Sequence, residues 1–113
     1  MRVVGIIPAR MDSSRFPGKP LEKILGMPMV GHCYHRTALA LGNEYTYVAT
    51  CDIEIATYIK SIGGNVVMTN SRHTRATTRT AEAQELIEIE IKEKIDIIVM
   101  VQGDEPLILP KNI

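Results

Sequence analysis

The residues best equipped for chemistry lie just inside the N-terminus. Between Pro8 and Pro20 the segment PARMDSSRFPGKP sets Arg10, Arg15 and Lys19 among Ser13, Ser14 and Gly18. Cations, hydroxyls and an unhindered backbone at this density can make several simultaneous contacts to phosphate oxygens, which is what a nucleoside triphosphate requires. The spacing is neither G-x-x-x-x-G-K-[ST] nor G-x-G-x-x-G, so neither a P-loop nor a dinucleotide fingerprint applies. A solvated basic loop is the competing reading on spacing alone.

Two further segments carry reactive or coordinating groups. QGDEP, residues 102–106, offers Asp104 and Glu105 directly after an apolar run, where a hard oxygen ligand for magnesium would stand beside phosphates. Carboxylates at strand ends also form turns, and both readings stand. Gln102 has an amide that can read a base edge or serve structure. SRHTRATTR, residues 71–79, is rich in donors; His73 reads as a surface histidine, with contact to a base or phosphate as the alternative. His32 and His35 have no third metal ligand nearby and read as structural or solvent-facing.

These segments must be held by a scaffold, and the hydrophobic pattern describes one. Val3–Ile7 is a short continuous apolar run, the mark of a strand buried on both faces, and Pro8 ends it. Leu21–Leu25 reads as a short strand or turn. Val30, Cys33, Tyr34, Thr37, Ala38 and Leu41 recur at steps of three and four, with Pro28 suited to the first turn and Gly42 to the C-terminal cap. Tyr45–Thr50 reads as a second strand. Asp52 can cap a helix whose inner face is Ile55, Ile59 and Ile62 and which Gly63-Gly64 ends; Asn65–Met68 is a third strand. A long helix is expected from about Thr78 to Lys94 with Leu86, Ile87 and Ile91 inward, then a fourth buried strand at Ile97–Val101.

Strand and helix alternate throughout, which implies a parallel sheet with right-handed crossovers in the order 3-2-1-4, a Rossmann-like half. In such sheets ligands bind beyond the carboxyl ends of the strands at the switch point, here between the first and fourth strands. The basic loop and QGDEP arrive there together, with SRHTRATTR near the same edge.

Composition narrows the classes. At 113 residues, 45% hydrophobic and 23% charged, the chain reads as one α/β domain of an ordinary globular protein. Lys+Arg and Asp+Glu balance at 13 each, so no whole-molecule field favours nucleic acid or an acidic membrane. Cys33 and Cys51 lack metal or redox spacing and read as reduced, buried thiols. With no apolar run long enough for a signal or a membrane span, the expected compartment is cytoplasmic.

The motifs also bear a resemblance. IIPARMDSSRFPGKPL closely resembles the signature P-A-R-x-x-S-[ST]-R-x-P-G-K-P-L of the CMP-sugar-acid synthetases, above all the 3-deoxy-manno-octulosonate cytidylyltransferases. VQGDEPLI is similar to that family's V-Q-G-D-E-P, and ATCDIEIA, GGNVVMT and H73-x-x-x-T77-x-R79 fall where the family has comparable segments. The likeness runs over essentially the whole chain. It implies a nucleotide-diphospho-sugar transferase type of fold and a role in lipopolysaccharide or related surface polysaccharide synthesis. Arg10, Arg15, Lys19 and Arg79 would then bind the nucleotide through its phosphates and neighbouring atoms, Ala9 and Gln102 would hold cytosine, and Asp104 would ligate Mg2+. Arg10, Lys19 and Asp104 would carry catalysis, with CTP and a sugar acid as substrates.

Two departures from the family pattern stand out. Where the family has H-x-S-G-T-[DE]-R this chain has HTRATTR, with Arg75 and Ala76 at the Ser-Gly pair and Thr78 at the acid. The family also runs to about twice this length, its further half supplying a second metal carboxylate, much of the sugar site and the dimer surface. The chain is therefore expected to be truncated relative to the family, and by itself to bind nucleotide with slow or no turnover. A non-catalytic nucleotide-binding module and a spore-coat polysaccharide cytidylyltransferase are the alternatives.

Overall fold

A computed structural model of the chain describes residues 2–11 and 19–102. Arg15 and Asp104 lie outside the described residues, as does the side chain of Lys19. The central sheet contains four parallel strands: β1 (Val3–Pro8), β4 (Thr46–Thr50), β5 (Asn65–Met68) and β6 (Ile97–Met100), in the spatial order β5-β4-β1-β6. Counted along the chain this is the expected 3-2-1-4. A small antiparallel hairpin, β2 (Lys23–Ile24) with β3 (Met27–Pro28), leads into helix α1 (Met29–Leu41). Helices α2 (Ile53–Ser61) and α3 (Ala76–Ile91) complete the crossovers.

Period-two alternation in the central strands explains the layering. Ile7 and Val48 turn to one face, where they meet Val30, Cys33 and Tyr34 of α1 and Ile55 and Ile59 of α2. Val4, Ile6, Tyr47, Ala49 and Val67 turn to the other, against Ala83 and Ile87 of α3 and against Ile95. Each face of the sheet is thus covered by helices whose apolar residues repeat at three and four, and the burial of these two clusters drives the fold. The approach of α1 to β1 depends on Gly5, where a Cβ would lie 2.7 Å from Thr37 Cγ2 and 2.9 Å from Leu41 Cδ1.

Several boundaries differ from the sequence expectation. Pro28 occupies the N-cap position of α1, not its first turn, because it also pairs with Lys23 in the hairpin. Gly42 closes that helix as expected, with φ 98° and its amide donating to Ala38 O at 2.7 Å. Helix α3 starts at Ala76 and ends at Ile91 because Lys92 takes the left-handed conformation. Glu88 then accepts the Ile95 amide at 2.8 Å as the chain turns toward β6.

Leu86 is 36% exposed, not inward. The buried stripe of α3 runs through Thr80, Ala83 and Ile87, and one residue is about 100° of helix rotation away. β6 is likewise not buried on both faces: Ile97 is 43% and Met100 39% exposed. Among the described residues β6 pairs only with β1 and forms an end of the sheet, with α3 packed over β1, β4 and β5.

Candidate nucleotide site

Three segments leave the C-terminal edge of the sheet side by side. The first follows β1. Ala9 continues the ladder by donating its amide to Ala49 O at 3.0 Å, and its side chain is buried in the core cluster of α1 and α2. What Ala9 can offer a ligand is therefore its backbone. Arg10 and Met11 come next, both half-buried. The Met11 amide donates to Asp52 Oδ2 at 2.8 Å, across 41 positions of sequence.

That contact changes the role of Asp52. It does occupy the N-cap of α2, with extended φ and ψ, but its side chain makes no cap bond to that helix. The carboxylate faces the loop after β1, while its own amide donates to Thr50 Oγ1 at 3.1 Å. Sequence reasoning missed this use because an Asp before an apolar helix carries the same signature in either role.

The second segment follows β6. Val101 donates its amide to Ile6 O at 3.0 Å, which brings Gln102 to the edge beside the loop from β1. Gln102 is half-buried, and its carbonyl accepts the thiol of Cys33 from α1 at 3.4 Å. Cys33 is buried and Cys51 half-buried, and the two are not joined in a disulfide.

The third segment follows β5. Thr69 donates its amide to Thr50 O at 2.9 Å. Arg79 is only 2% exposed; its Nη1 donates to Thr69 Oγ1 at 2.7 Å and its Nη2 to His73 O at 3.2 Å. Glu82, one turn further along α3, accepts the Asn70 amide at 2.9 Å and pairs with His73 Nε2 at 2.6 Å. The Asn70 amide, and after it the His73 ring, hold the Glu82 carboxyl below the usual carboxylate range. His73 is therefore engaged and half-buried, where the sequence suggested a surface residue. Arg79 shapes this loop with both terminal nitrogens, and Arg72 and Arg75 stand exposed on it.

The structure thus brings Ala9, Arg10 and Gln102 to neighbouring ends of β1 and β6 and places Arg79 inside the loop after β5. Among the described residues no group of three His, Cys, Asp or Glu side chains is arranged to hold a metal ion. A cleft of about 520 Å³ lies at the opposite edge, lined by Arg2, Tyr45, Glu93, Lys94 and Asp96 among others. Arg2 fastens that end: its amide donates to Asp96 Oδ2 at 2.6 Å and its guanidinium pairs with Glu93 and lies 5.8 Å over the Tyr45 ring. Among the described residues no helix is long and apolar enough to cross a membrane.

Comparison with known proteins bears on the family and the fold. The Cytidylyltransferase family profile matches residues 4–113. A 3-deoxy-manno-octulosonate cytidylyltransferase of Syntrophobacter fumaroxidans is 50% identical over 108 residues, covering 96% of this chain and 42% of that protein. An 8-amino-3,8-dideoxy-manno-octulosonate cytidylyltransferase of Shewanella pealeana is 46% identical over 97% of this chain and 44% of its own length. Among solved structures, CMP:2-keto-3-deoxy-manno-octonic acid synthetase complexed with CTP superposes with a TM-score of 0.82 at 39% identity, over 99% of this chain and 44% of that one. The chain thus spans a little under half the length of these relatives. With the family profile matched over nearly its whole length and the α/β fold shared, the chain belongs to the cytidylyltransferase family.

Proposed function

We propose that this chain forms the CTP-binding part of an enzyme that transfers CMP to 3-deoxy-manno-octulosonate or its 8-amino analogue, in cytoplasmic synthesis of a surface polysaccharide. The observation that supports the reading is the junction of β1 and β6, where Ala9 and Arg10, which open the basic segment, and Gln102 lie at neighbouring strand ends at the switch point of a parallel sheet. Relatives named for each of the two sugar acids match this chain at similar identity, so both acceptors belong in the proposal.

In the proposed reaction the anomeric hydroxyl oxygen of the sugar acid forms a bond to the α-phosphorus of CTP. The bond from that phosphorus to the bridging oxygen breaks, pyrophosphate leaves, and the hydroxyl proton passes to solvent. Arg10, Arg15 and Lys19 would neutralise the phosphate oxygens, and the backbone at Ala9 with the amide of Gln102 would hold the cytosine. Asp104, a hard oxygen donor next in line after β6, would ligate Mg2+, which supplies further charge neutralisation when bound. Arg79 would contribute through the shape of the loop that carries Arg72 and Arg75. No protein nucleophile is needed, since aligning the acceptor and balancing charge lower the barrier.

The test is pyrophosphate release with each of the four nucleoside triphosphates and each sugar acid, beside a calorimetric titration. Release with CTP and one of the acceptors supports the enzyme; CTP binding without release supports a nucleotide-binding module. Preference for a purine nucleotide would refute the proposal.

A further inference from the structure

We propose that Asp52 is a positioning residue for Arg10, acting through the Met11 amide; this rests on reading Arg10 as a triphosphate ligand. The Asp52 carboxylate reaches from the end of β4 to the first turn of chain after β1 and accepts the Met11 amide at 2.8 Å. On the loop side the preceding bond is a sheet bond, Ala9 to Ala49 at 3.0 Å. Ala9 and Met11 are therefore both tied to the β4 side, and Arg10 is the residue held between them.

Two competing explanations of Asp52 are met by the same contacts. It is not needed as a helix cap, because its side chain makes no bond to α2. Nor does its charge suit a neighbouring triphosphate, since a carboxylate repels phosphate oxygens. An acceptor strong enough to fix a backbone amide accounts for both its place and its type. The tie extends sideways: the Asp52 amide donates to Thr50 Oγ1, the Thr69 amide to Thr50 O, and Arg79 to Thr69 Oγ1. The loops after β1 and β5 are thereby joined along the C-terminal edge by hydrogen bonds. Holding Arg10 in place before the ligand arrives lowers the ordering cost of binding.

The experiment compares the full chain with Asp52→Ala and Asp52→Asn, both of which keep the helix sequence intact. Asn is as good an N-cap as Asp and retains an acceptor oxygen. Amide exchange at Met11 without nucleotide reads the contact; titration with CTP and with cytidine reads its consequence. We expect Met11 to exchange faster in Asp52→Ala and to stay protected in Asp52→Asn. CTP affinity should fall roughly five- to tenfold in the Ala variant, with cytidine affinity unchanged. In the Asn variant CTP affinity should equal or exceed that of the parent, because the acceptor remains and the repelling charge is gone.

An Asn variant as weak as Ala would overturn the proposal in favour of a role for the charge itself, such as cation ligation. Should Asp52→Ala not fold, the Asn variant decides alone: a CTP affinity at least about fivefold below the parent overturns the proposal, and one equal to or above the parent together with a protected Met11 amide supports it. Unchanged CTP affinity in a folded Ala variant overturns the positioning role alone. If the parent chain does not bind CTP, the triphosphate reading fails and this proposal falls with it.

Discussion

Asp52, Glu82 and Arg79 direct their charges at loops at the C-terminal sheet edge: Asp52 and Glu82 accept backbone amides, and Arg79 donates to a threonine hydroxyl and a carbonyl. Such residues are hard to recognise in a sequence, because an acid that accepts a distant amide looks like any helix cap or solvated charge. The basic loop stands out in the sequence because Arg10, Arg15 and Lys19 crowd one segment with Ser13, Ser14 and Gly18. The burial of Arg79 does not, since nothing in HTRATTR says which arginine turns inward. Glu82 gives this scale a test through pH. Its carboxyl is held below the ordinary value of 4.5 in the folded protein, so ionisation stabilises the fold above the unfolded value and this contribution is lost as pH falls through the folded one. Glu82→Gln should therefore be less stable than the parent in denaturant unfolding at about pH 7, with the gap narrowing by about pH 3 as the parent's own carboxyl protonates. A gap that is constant across that range would assign the effect to shape and not to charge.

At the scale of elements, the β2–β3 hairpin turns through Leu25 and Gly26, both with positive φ, at 54° and 82°. Left-handed backbone suits Asn or Gly and strains leucine, and Leu25 is 96% exposed, so no burial offsets the strain. Leu25→Asn should raise stability by about 0.5–1 kcal/mol, read as a shift in denaturant midpoint without change of slope. Gly5 is the opposite case. Its missing Cβ lets α1 lie against β1, and Gly5→Ala should cost about 1–3 kcal/mol as Thr37 and Leu41 are displaced. A neutral result would mean that the Leu41 end simply moves aside. The periodicities made these elements readable: runs such as Val3–Ile7 and steps of three and four in α1 come directly from which faces are buried. Leu86 and β6 were misread because local pattern marks a residue as apolar but does not say what covers it. In α3 the buried stripe passes one position away, and among the described residues β6 has a neighbour on one side only.

For the molecule as a whole, the order β5-β4-β1-β6 follows from alternating strands and helices with right-handed crossovers, and it decides where a ligand belongs. The order of the strands reverses between β1 and β6, and there Ala9, Arg10 and Gln102 emerge. The cleft at the other edge is fastened by the amide and guanidinium of Arg2. The central claim is that the edge beside β1 grips phosphates, and it separates cleanly from any claim about the sugar. Its most direct test is a calorimetric comparison of CTP and cytidine on the parent chain and on Lys19→Ala. A charge-assisted hydrogen bond contributes about 1.5–3 kcal/mol, so the account predicts that Lys19→Ala weakens CTP at least tenfold while leaving cytidine unchanged. Equal losses for the two ligands, or a parent chain that binds cytidine as tightly as CTP, would contradict it.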